Sequence, residues 1–392
     1  MFRISTMNKI APIGLDLFPS DTYEVASDLS NPDAILVRSA DLHEMDIPAS
    51  VKAIARAGAG VNNIPIKKCS EKGIVVFNTP GANANAVKEL AIAGLLLSSR
   101  KIVSGINWGF TVVEKEDQVP ELVEKEKSKF AGPEIMGKTL GVIGLGAIGV
   151  MVANDALALG MNVIGFDPFI SVDAAWNLSH SVQKAESLES LLTKSDYISI
   201  HVPLNESTKG LINAERIKLM KKGVRIINLA RGGLVKEPDV IAALNAGTVG
   251  SYFCDFPTAE LLRCPNAICI PHLGASTPEA EDNCAVMAVK QLMEYLEKGN
   301  IINSVNFPKC RLEQRSPQRL IVINQNVPNM VGQITTILAA ASVNITDMIN
   351  HHREEFAYNI IDTEQEIPVE ALDKLKSVKG VISVRVITKD QN

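Results

Sequence analysis

The sequence lacks the features that mark membrane-spanning, exported and strongly basic proteins. It has no uninterrupted apolar stretch of the roughly 18 residues that a transmembrane helix needs. The first ten residues contain polar side chains throughout and no apolar signal core. The formal net charge of −5 argues against nucleic acid as a general partner. We therefore expect a cytoplasmic protein that binds neither membranes nor nucleic acid.

The cysteines show no spacing typical of a metal site or a disulfide framework. There are six, and no two of them form a C-x-x-C pair. They are Cys69, Cys254, Cys264, Cys269, Cys284 and Cys310. Cys264 and Cys269 are near one another in the chain, but no paired Cys/His spacing supports them as metal ligands. The sequence therefore predicts buried, reduced thiols and no bound metal.

Residues 138–167 have the order of a dinucleotide-binding unit. Thr139–Ile143 is an apolar run of strand length, and a G-x-G-x-x-G loop follows it at 144–149. Val150–Leu159 carries apolar residues at helical spacing, and a second apolar run ends at Asp167. Strand, glycine loop, helix, strand and acidic residue together predict a Rossmann unit.

The glycines and the acidic residue of this unit each have a physical role in binding a dinucleotide. Gly144 permits a tight turn, Gly146 leaves room for a pyrophosphate, and Gly149 lets the helix approach the sheet. The helix N-terminus, at Ala147 and Ile148, offers free N–H groups and a partial positive charge to the phosphates. A carboxylate at Asp167 can accept hydrogen bonds from a ribose diol and repels a 2′-phosphate. The predicted cofactor is therefore NAD rather than NADP.

Polar residues follow the predicted strands on both sides of the glycine loop. Strands that alternate with helices predict parallel sheets, whose ligands gather at the carboxyl ends of the strands. Before the loop, these ends carry Arg38, Ser39, Arg56, Gly58 and Gly60. After it, they carry His201, Val202, Pro203, Ala230, Arg231, Asp255, His272 and Gly274. The charged ends of three successive strands, Arg231, Asp255 and His272, indicate a catalytic site.

These residue types suit the oxidation of an alcohol by a nicotinamide cofactor. Arg231 can hold a 2-oxo acid with a fixed positive fork, and His272 can exchange the hydroxyl proton. A carboxylate near the imidazole would orient it and raise its pKa. Glu260 is the preferred carboxylate, with Glu237 and Asp255 as rivals.

The last part of the chain changes pattern. Residues 277–298 predict one long helix that Gly299 ends, and two prolines and several charges in 303–317 are typical of a linker. From Arg319 the order strand, helix, strand, strand, helix, strand predicts a small, separate ferredoxin-like unit. The predicted fold class is therefore α/β, with two Rossmann-like doubly wound parallel sheets and a C-terminal ferredoxin-like α+β domain.

Seven motifs, in order along the first 300 or so residues, resemble those of the D-isomer-specific 2-hydroxyacid dehydrogenases. They are 37–40, 56–61, 78–80, 141–149, 201–204, 228–233 and 271–277. The resemblance implies that Arg231 and His272 are catalytic. It also places the catalytic glutamate at Glu260, although the proline that usually follows is missing here.

The resemblance further implies the substrate and its contacts. It implies NAD-dependent oxidation of 3-phospho-D-glycerate to 3-phosphohydroxypyruvate, the first step of serine biosynthesis. Asp255 would contact the nicotinamide carboxamide, and Arg38 and Arg56 are candidate phosphate partners. The substrate carboxylate would bind the backbone of Arg56, Ala57, Gly58, Ala59 and Gly60. The alternatives are a dehydrogenase of glycerate or glyoxylate, and a non-catalytic protein that senses NADH.

The resemblance also implies domains and partners. It places a discontinuous substrate-binding domain at 1–85 and 280–305, an NAD-binding domain at 86–279, and a linker at 306–318. Residues 319–392 resemble an ACT domain, a small amino-acid-sensing module. Asn324, Asn326 and Asn344 stand at its ligand positions, which implies an L-serine effector. Members of the family form dimers or tetramers, so we expect a homo-oligomer.

Overall fold

The computed structural model describes residues 1–388 and begins with a five-stranded parallel sheet. Its strands are β1 (Phe2–Met7), β2 (Tyr23–Ala26), β3 (Ala34–Val37), β4 (Ala53–Arg56) and β5 (Val75–Phe77), in the order β2-β1-β3-β4-β5. Two short helices, α1 (Pro12–Leu15) and α2 (Ile66–Glu71), lie in the connections. Every residue of β3 is buried, as expected of a strand covered on both faces.

A seven-stranded parallel sheet forms the centre of residues 84–277. Its strands are β6 (Thr139–Ile143), β7 (Asn162–Phe166), β8 (Gln183–Lys184), β9 (Tyr197–Ile200), β10 (Val224–Asn228), β11 (Val249–Cys254) and β12 (Ala267–Cys269). The order β12-β11-β10-β9-β6-β7-β8 makes it doubly wound. The strand order reverses between β6 and β9, which is where such sheets bind their ligands.

Nine helices accompany this sheet within the described chain. They are α3 (Ala84–Ser99), α4 (Ile102–Thr111), α5 (Val119–Glu126), α6 (Ala147–Ala158), α7 (Val172–Asn177), α8 (Leu188–Lys194), α9 (Ala214–Leu219), α10 (Glu237–Asn245) and α11 (Ala259–Leu262). Local sequence sets several of their ends. The Asn213 side chain caps α9 by accepting from the Arg216 N–H at 3.1 Å. Gly160, at φ +80°, follows α6 and lets the chain turn away.

After a long helix, α12 (Pro278–Lys298), the chain ends in a four-stranded antiparallel sheet. The elements are β13 (Gln318–Gln325), α13 (Met330–Ala340), β14 (Ile345–Arg353), β15 (Phe356–Thr363), α14 (Val369–Ser377) and β16 (Val381–Thr388). The sheet order β14-β15-β13-β16 is that of a ferredoxin-like fold. Together with the two parallel sheets, it confirms the predicted fold class. Residues 389–392 of the predicted ACT-like unit lie outside the described residues.

The C-terminal sheet packs closely on the preceding helix instead of standing apart. Residues 1–83 and 278–388 belong to one compact unit, and 84–277 to another. Buried side chains of the first and third sheets share one apolar core. Carbonyl oxygens at the end of α12 accept hydrogen bonds from Arg319, Tyr358 and Arg385. These three side chains satisfy groups that a helix C-terminus otherwise leaves unpaired.

The stretch interpreted as a linker is also tied to this unit. Asn306, Phe307 and Cys310 are buried, and Asn306 Oδ1 accepts from the Val76 N–H at 2.9 Å. The domain boundaries drawn from the sequence remain predictions. Within residues 1–388, no helix combines the length and the apolarity needed to cross a bilayer.

Candidate active site

The glycine loop 144–149 joins β6 to α6, and its three glycines are required for different reasons. Gly144 has φ +91°, and a β carbon on it would lie 2.8 Å from the carbonyl carbon of His201. A β carbon on Gly149 would overlap the carbonyl oxygen of Gly144. A β carbon on Gly146 would meet no atom of the described chain within 4 Å. The loop is therefore packed at both ends and open at Gly146, where the pyrophosphate is predicted to lie.

The N-terminus of α6 presents unsatisfied donors at this opening. The helix has 12 residues and begins at Ala147, and no side chain of residues 1–388 caps it. Its first turn, which includes Ile148, contains no acidic side chain. The N–H groups and the helix dipole therefore remain able to bind an anion.

Asp167 is held against the same loop. Its Oδ2 accepts from the Leu145 N–H at 2.8 Å, and its Oδ1 accepts from the Phe169 N–H at 2.8 Å. The side chain is half-buried at the end of β7, the strand next to β6. Each carboxylate oxygen keeps a second lone pair that can accept a ribose hydroxyl.

His201 lies at the point where the strand order reverses. Its N–H donates to the Ile143 carbonyl at 2.7 Å, and its Nε2 is 2.8 Å from Ser199 Oγ. Burial lowers the pKa of His201 to about 4, so the imidazole is neutral at pH 7. Val202 and Pro203 follow it, and a Val202 methyl group packs against Gly144. His201 and Val202 therefore line one side of the glycine loop.

Asp255 is a buried carboxylate with one oxygen that lacks a hydrogen-bond partner among the described residues. It is 1% exposed, and its Oδ2 accepts from the Gly274 N–H at 3.3 Å. Its Oδ1 has no hydrogen-bond partner among the described residues. Burial raises the pKa of Asp255, while the nearby charges of His272 and Arg231 oppose that rise. A buried acceptor without a donor is costly, so this atom marks a place where a ligand N–H fits.

Arg231 projects from a loop that a buried side chain holds in place. Asn228 Nδ2 donates to the Arg231 carbonyl at 2.9 Å and to the Tyr252 hydroxyl at 3.2 Å. Asn228 Oδ1 accepts from the Ala230 N–H at 3.2 Å. The Arg231 side chain is exposed, with Nη1 donating to the Ala230 carbonyl at 2.7 Å. Its guanidinium is therefore available to an acidic ligand.

His272 is exposed and packs on an aromatic ring. The imidazole and the Phe256 ring have centroids 5.1 Å apart. Within residues 1–388, no hydrogen bond or ion pair joins Glu260 to His272, and Glu260 is exposed in the first turn of α11. Glu237 accepts from the Thr258 hydroxyl at 2.8 Å. The charge of Asp255 interacts with that of His272.

The predicted substrate residues of the other unit form a hydrogen-bonded group of their own. Arg38 makes an ion pair with Glu281 of α12. Arg56 Nε donates to the Arg38 carbonyl at 3.0 Å. A β carbon on Gly58 would overlap the Arg56 guanidinium. The structure therefore brings both arginines together at the carboxyl ends of β3 and β4.

The loop after Arg56 is fixed by its neighbours. Asn78 Nδ2 donates to the Ala59 carbonyl at 2.6 Å, and the Thr79 N–H donates to the Gly58 carbonyl at 3.1 Å. The Ser39 N–H donates to Asn8 Oδ1 at 3.1 Å. Ala57 is buried, and Gly60 is half-buried. The segment is a rigid backbone loop, the kind of structure that binds a carboxylate through N–H groups.

The predicted effector residues do not all meet. Asn324 and Asn326 line a small cavity of about 150 Å³, together with Asn329 and Asn350. Asn344 does not line it, and its N–H donates to Gln365 Oε1 at 2.8 Å. Asn324 is buried, and its Oδ1 accepts from Asn359 Nδ2 at 2.7 Å.

Sequence reasoning missed several residues that build these sites. Asn228, Ser199, Phe256 and Glu281 were given no role, although Asn228 lies inside the motif 228–233. Phe256 and Glu281 contact His272 and Arg38, which are too distant in the chain for any local pattern to pair them. Ser199 and Asn228 bond residues only two or three positions away. Only Asn228 carried a usable signal, because a buried asparagine just before a functional loop often holds that loop.

The central unit as a whole fits an NAD molecule. Gly146 is open for a pyrophosphate, Asp167 offers acceptors to a ribose, and Asp255 Oδ1 offers a buried acceptor to a carboxamide N–H. These groups lie at the ends of β6, β7 and β11, on the ligand-binding edge of the sheet. Among residues 1–388, no cluster of three or more His, Cys, Asp or Glu side chains has the arrangement of a metal site.

Comparisons with known proteins agree with this fit. Residues 104–274 match the family described as D-isomer specific 2-hydroxyacid dehydrogenase, NAD binding domain. The match confirms the predicted dinucleotide-binding unit and NAD as its cofactor.

Two relatives extend the similarity beyond that segment. The chain is 34% identical over 338 residues to D-3-phosphoglycerate dehydrogenase of Methanocaldococcus jannaschii, which covers 83% of this chain and 61% of the relative. It is 41% identical over 276 residues to hydroxypyruvate reductase of Thermotoga maritima, covering 67% of this chain and 85% of the relative. The chain spans only 53 to 61% of the length of the archaeal relative and of two others with the same name.

A solved structure shows the same fold. The NAD⁺-bound 3-phosphoglycerate dehydrogenase of Entamoeba histolytica matches with a TM-score of 0.60 and 26% identity. The match covers 78% of this chain and 98% of that one.

Proposed function

The chain belongs to the family of D-isomer-specific 2-hydroxyacid dehydrogenases, and we propose that it oxidises 3-phospho-D-glycerate to 3-phosphohydroxypyruvate with NAD. The observation that carries this proposal is the group formed by Asp255, Arg231 and His272. A buried carboxylate with one unsatisfied oxygen interacts there with an exposed arginine and an exposed histidine. In this reading the product enters serine biosynthesis.

We assign the steps to residues as follows. Arg231 holds the carboxylate and the C2 oxygen of the substrate through its guanidinium fork. His272 Nε2 or Nδ1 accepts the hydroxyl proton as the C2 hydride leaves. Asp255 orients the cofactor through Oδ1 and stabilises the protonated imidazole. Bound NAD supplies the hydride acceptor.

Glu260, the glutamate that the sequence predicts to be catalytic, is a second proposed partner of His272. Its carboxylate would have to turn toward His272, because it makes no bond to the imidazole within the described chain. Comparing Glu260→Gln with Glu237→Gln separates the two carboxylates. The variant that shifts the pH profile of kcat identifies the group that tunes His272.

The proposal that the substrate carries a phosphate is based on the paired arginines of the other unit. Arg38 and Arg56 lie together, and Glu281 balances the charge of Arg38. A phosphate dianion can take the place of the Glu281 carboxylate on the guanidinium. A second candidate is reduction of hydroxypyruvate or glyoxylate, which the 41% identity to hydroxypyruvate reductase favours.

One assay distinguishes these candidates. NADH formation is followed with a panel of D-2-hydroxy acids, with and without a 3-phosphate, and the reverse reaction with hydroxypyruvate and glyoxylate. A preference for 3-phospho-D-glycerate that Arg38→Gln removes supports the proposal. Equal rates with D-glycerate, or a preference for hydroxypyruvate, support the second candidate. Tight NADH binding without turnover of any substrate would favour a sensor.

We also propose an effector and an assembly. The cavity at Asn324 and Asn326 is the site for L-serine. If saturating L-serine changes neither the activity nor the melting temperature, this assignment is wrong. For assembly, α4 has no buried residue, and Ile106 and Phe110 on it are 55% and 74% exposed. Such an apolar face is typical of a homo-oligomer interface, which light scattering of wild type and Phe110→Glu tests.

A further inference from the structure

Two thiols face each other at the edge of the catalytic group. Cys254 ends β11, Cys269 ends β12, and the two residues are directly opposite in the parallel pairing of these strands. Their sulfur atoms are 3.8 Å apart. Neighbouring strands lie about 4.8 Å apart, which is within the range of Cα separations that a disulfide spans. The pair can therefore be joined with little movement of the backbone.

The two sulfurs differ in access and in hydrogen bonding. Cys254 is fully buried, whereas Cys269 lies on the edge strand and is partly exposed. No other two thiols of residues 1–388 are within hydrogen-bonding distance. The hydrogen bond from Cys269, with others from Phe256 and Tyr252, lowers the pKa of Cys254. Cys269 is thus the sulfur that a solute reaches, although its hydrogen bond with Cys254 raises the pKa of Cys269, and Cys254 is the better nucleophile behind it.

The pair is connected to all three residues of the catalytic group. Cys254 directly precedes Asp255, and the Ile270 N–H, two residues before His272, donates to the Cys254 carbonyl at 3.0 Å. The Tyr252 side chain lowers the pKa of Cys254, and its hydroxyl accepts from Asn228 at 3.2 Å. Asn228 in turn holds the Arg231 carbonyl. A change at the sulfurs therefore reaches Arg231 through two buried side chains.

We propose that Cys254 and Cys269 form a reversible intramolecular disulfide when the protein meets a peroxide. The peroxide oxidises Cys269 Sγ to a sulfenic acid, the O–O bond breaks, and one water leaves. Cys254 Sγ then attacks that sulfur, the S–O bond breaks, and the hydroxide leaves with the Cys254 proton as a second water. The two sulfurs lose two electrons in total, which the peroxide takes up. A dithiol reductant reverses the step.

The disulfide also changes the catalytic group, and this part rests on the proposed function. Forming the disulfide removes the Cys254 thiol that interacts with the Tyr252 side chain, so the contact of the Tyr252 hydroxyl with Asn228 weakens. We expect oxidation to remove more than half of the dehydrogenase activity, and dithiothreitol to restore it.

Mass spectrometry of the full-length protein tests the site. Reduced protein is treated with hydrogen peroxide, denatured in the presence of an alkylating agent that blocks the remaining thiols, and then digested. Trypsin cuts after Arg263, so the two cysteines fall on different peptides, 237–263 and 264–290. We expect these peptides to be joined, with the loss of two hydrogens, and to separate on reduction. Because Cys264 and Cys284 share the second peptide, fragment spectra assign the bond.

Matched variants decide the interpretation. Cys269→Ser and Cys254→Ala should each abolish the link, and Cys264→Ser should retain it in full. Stable sulfinic acid on Cys269 without a link, or a link between Cys264 and Cys269, would overturn the site. A link that leaves the activity unchanged would overturn its effect on catalysis. A link in a protein that oxidises no hydroxy acid keeps the site and contradicts the proposed function instead.

Discussion

The carbonyl oxygen of Gly144 occupies the position where a β carbon on Gly149 would lie. The start of α6 is therefore packed directly on the turn that leaves β6, and the two glycines are needed together. Gly146, between them, points into open space. Gly149 is therefore required by the fold, whereas Gly146 is required by the ligand.

This difference predicts opposite outcomes for two alanine substitutions. Gly149→Ala forces the helix away from the turn and should lower the free energy of unfolding by about 1–3 kcal/mol. Gly146→Ala should leave thermal unfolding unchanged and weaken NAD binding about tenfold, which is about 1.4 kcal/mol. Calorimetry of both variants, with and without NAD, measures the two effects. Equal thermal stability in the two variants would contradict the assignment.

Arg231 and His272 should be needed for turnover but not for cofactor binding. A positioned general base contributes about 10²–10⁴-fold to a rate, so His272→Ala should lower kcat by a factor in that range. Arg231→Ala should also raise KM for the hydroxy acid, because it removes the charged partner of the carboxylate. NADH fluorescence titration should give unchanged affinity. Full activity in either variant would refute the mechanism.

Asp255 should make the protein less stable as the pH rises. Burial raises the pKa of Asp255, so the folded state binds its proton more tightly than the unfolded state, whose pKa is about 3.9. Stability contributed by the protonated form is present below pH 3.9 and is lost as pH rises through the folded pKa. Asp255→Asn should therefore unfold at a higher temperature than wild type at pH 7 and bind NAD more weakly.

Asp196 is the matched control for Asp255, because its pKa is shifted in the opposite direction. Burial alone would raise its pKa, but hydrogen bonds from the Thr139 N–H and from Lys221 lower it. Asp196→Asn should therefore reduce thermal stability at pH 7, and the deficit should shrink as pH falls. If both variants shift in the same direction, the Asp255 argument fails.

His201 should reduce stability in mild acid. Its pKa in the folded protein is about 4, against about 6.5 for an unfolded histidine. As the pH falls, the unfolded state therefore takes up a proton on this histidine before the folded state does. Above pH 6.5 His201 costs the protein no stability, and the free energy of unfolding declines as pH falls from 6.5 toward 4. His201→Gln should flatten this decline in urea unfolding between pH 7 and 5. A decline that His201→Gln leaves as steep as in wild type would contradict this account.

Arg319 and Asp362 should be far more costly to separate than to replace together. Both are buried, and two hydrogen bonds of 2.6 and 2.8 Å join them. Arg319→Met leaves a buried carboxylate unpaired and should lower the free energy of unfolding by about 3–5 kcal/mol. The double variant with Asp362→Leu should recover much of that loss. Denaturant unfolding of the two variants gives the comparison, and equal stabilities would contradict it.

Local sequence was sufficient for the features that depend on short stretches. The G-x-G-x-x-G loop, the N-cap at Asn213, the end of α12 at Gly299 and the order of the C-terminal elements each depend on a few adjacent residues. Parallel topology also followed from the alternation of strands and helices. From these, the sequence predicted which edge of each sheet would carry the functional residues.

Tertiary structure alone decided which of those residues meet. The ion pair of Arg38 with Glu281 joins residues 243 positions apart, and periodicity carries no information at that separation. Whether Glu260 or Asp255 interacts with His272 depends on how two loops leave neighbouring strands. The contact of Cys254 with Cys269 depends on the register of β11 with β12. Pairing and register arise from the packing of the whole sheet, so no single segment of the sequence contains them.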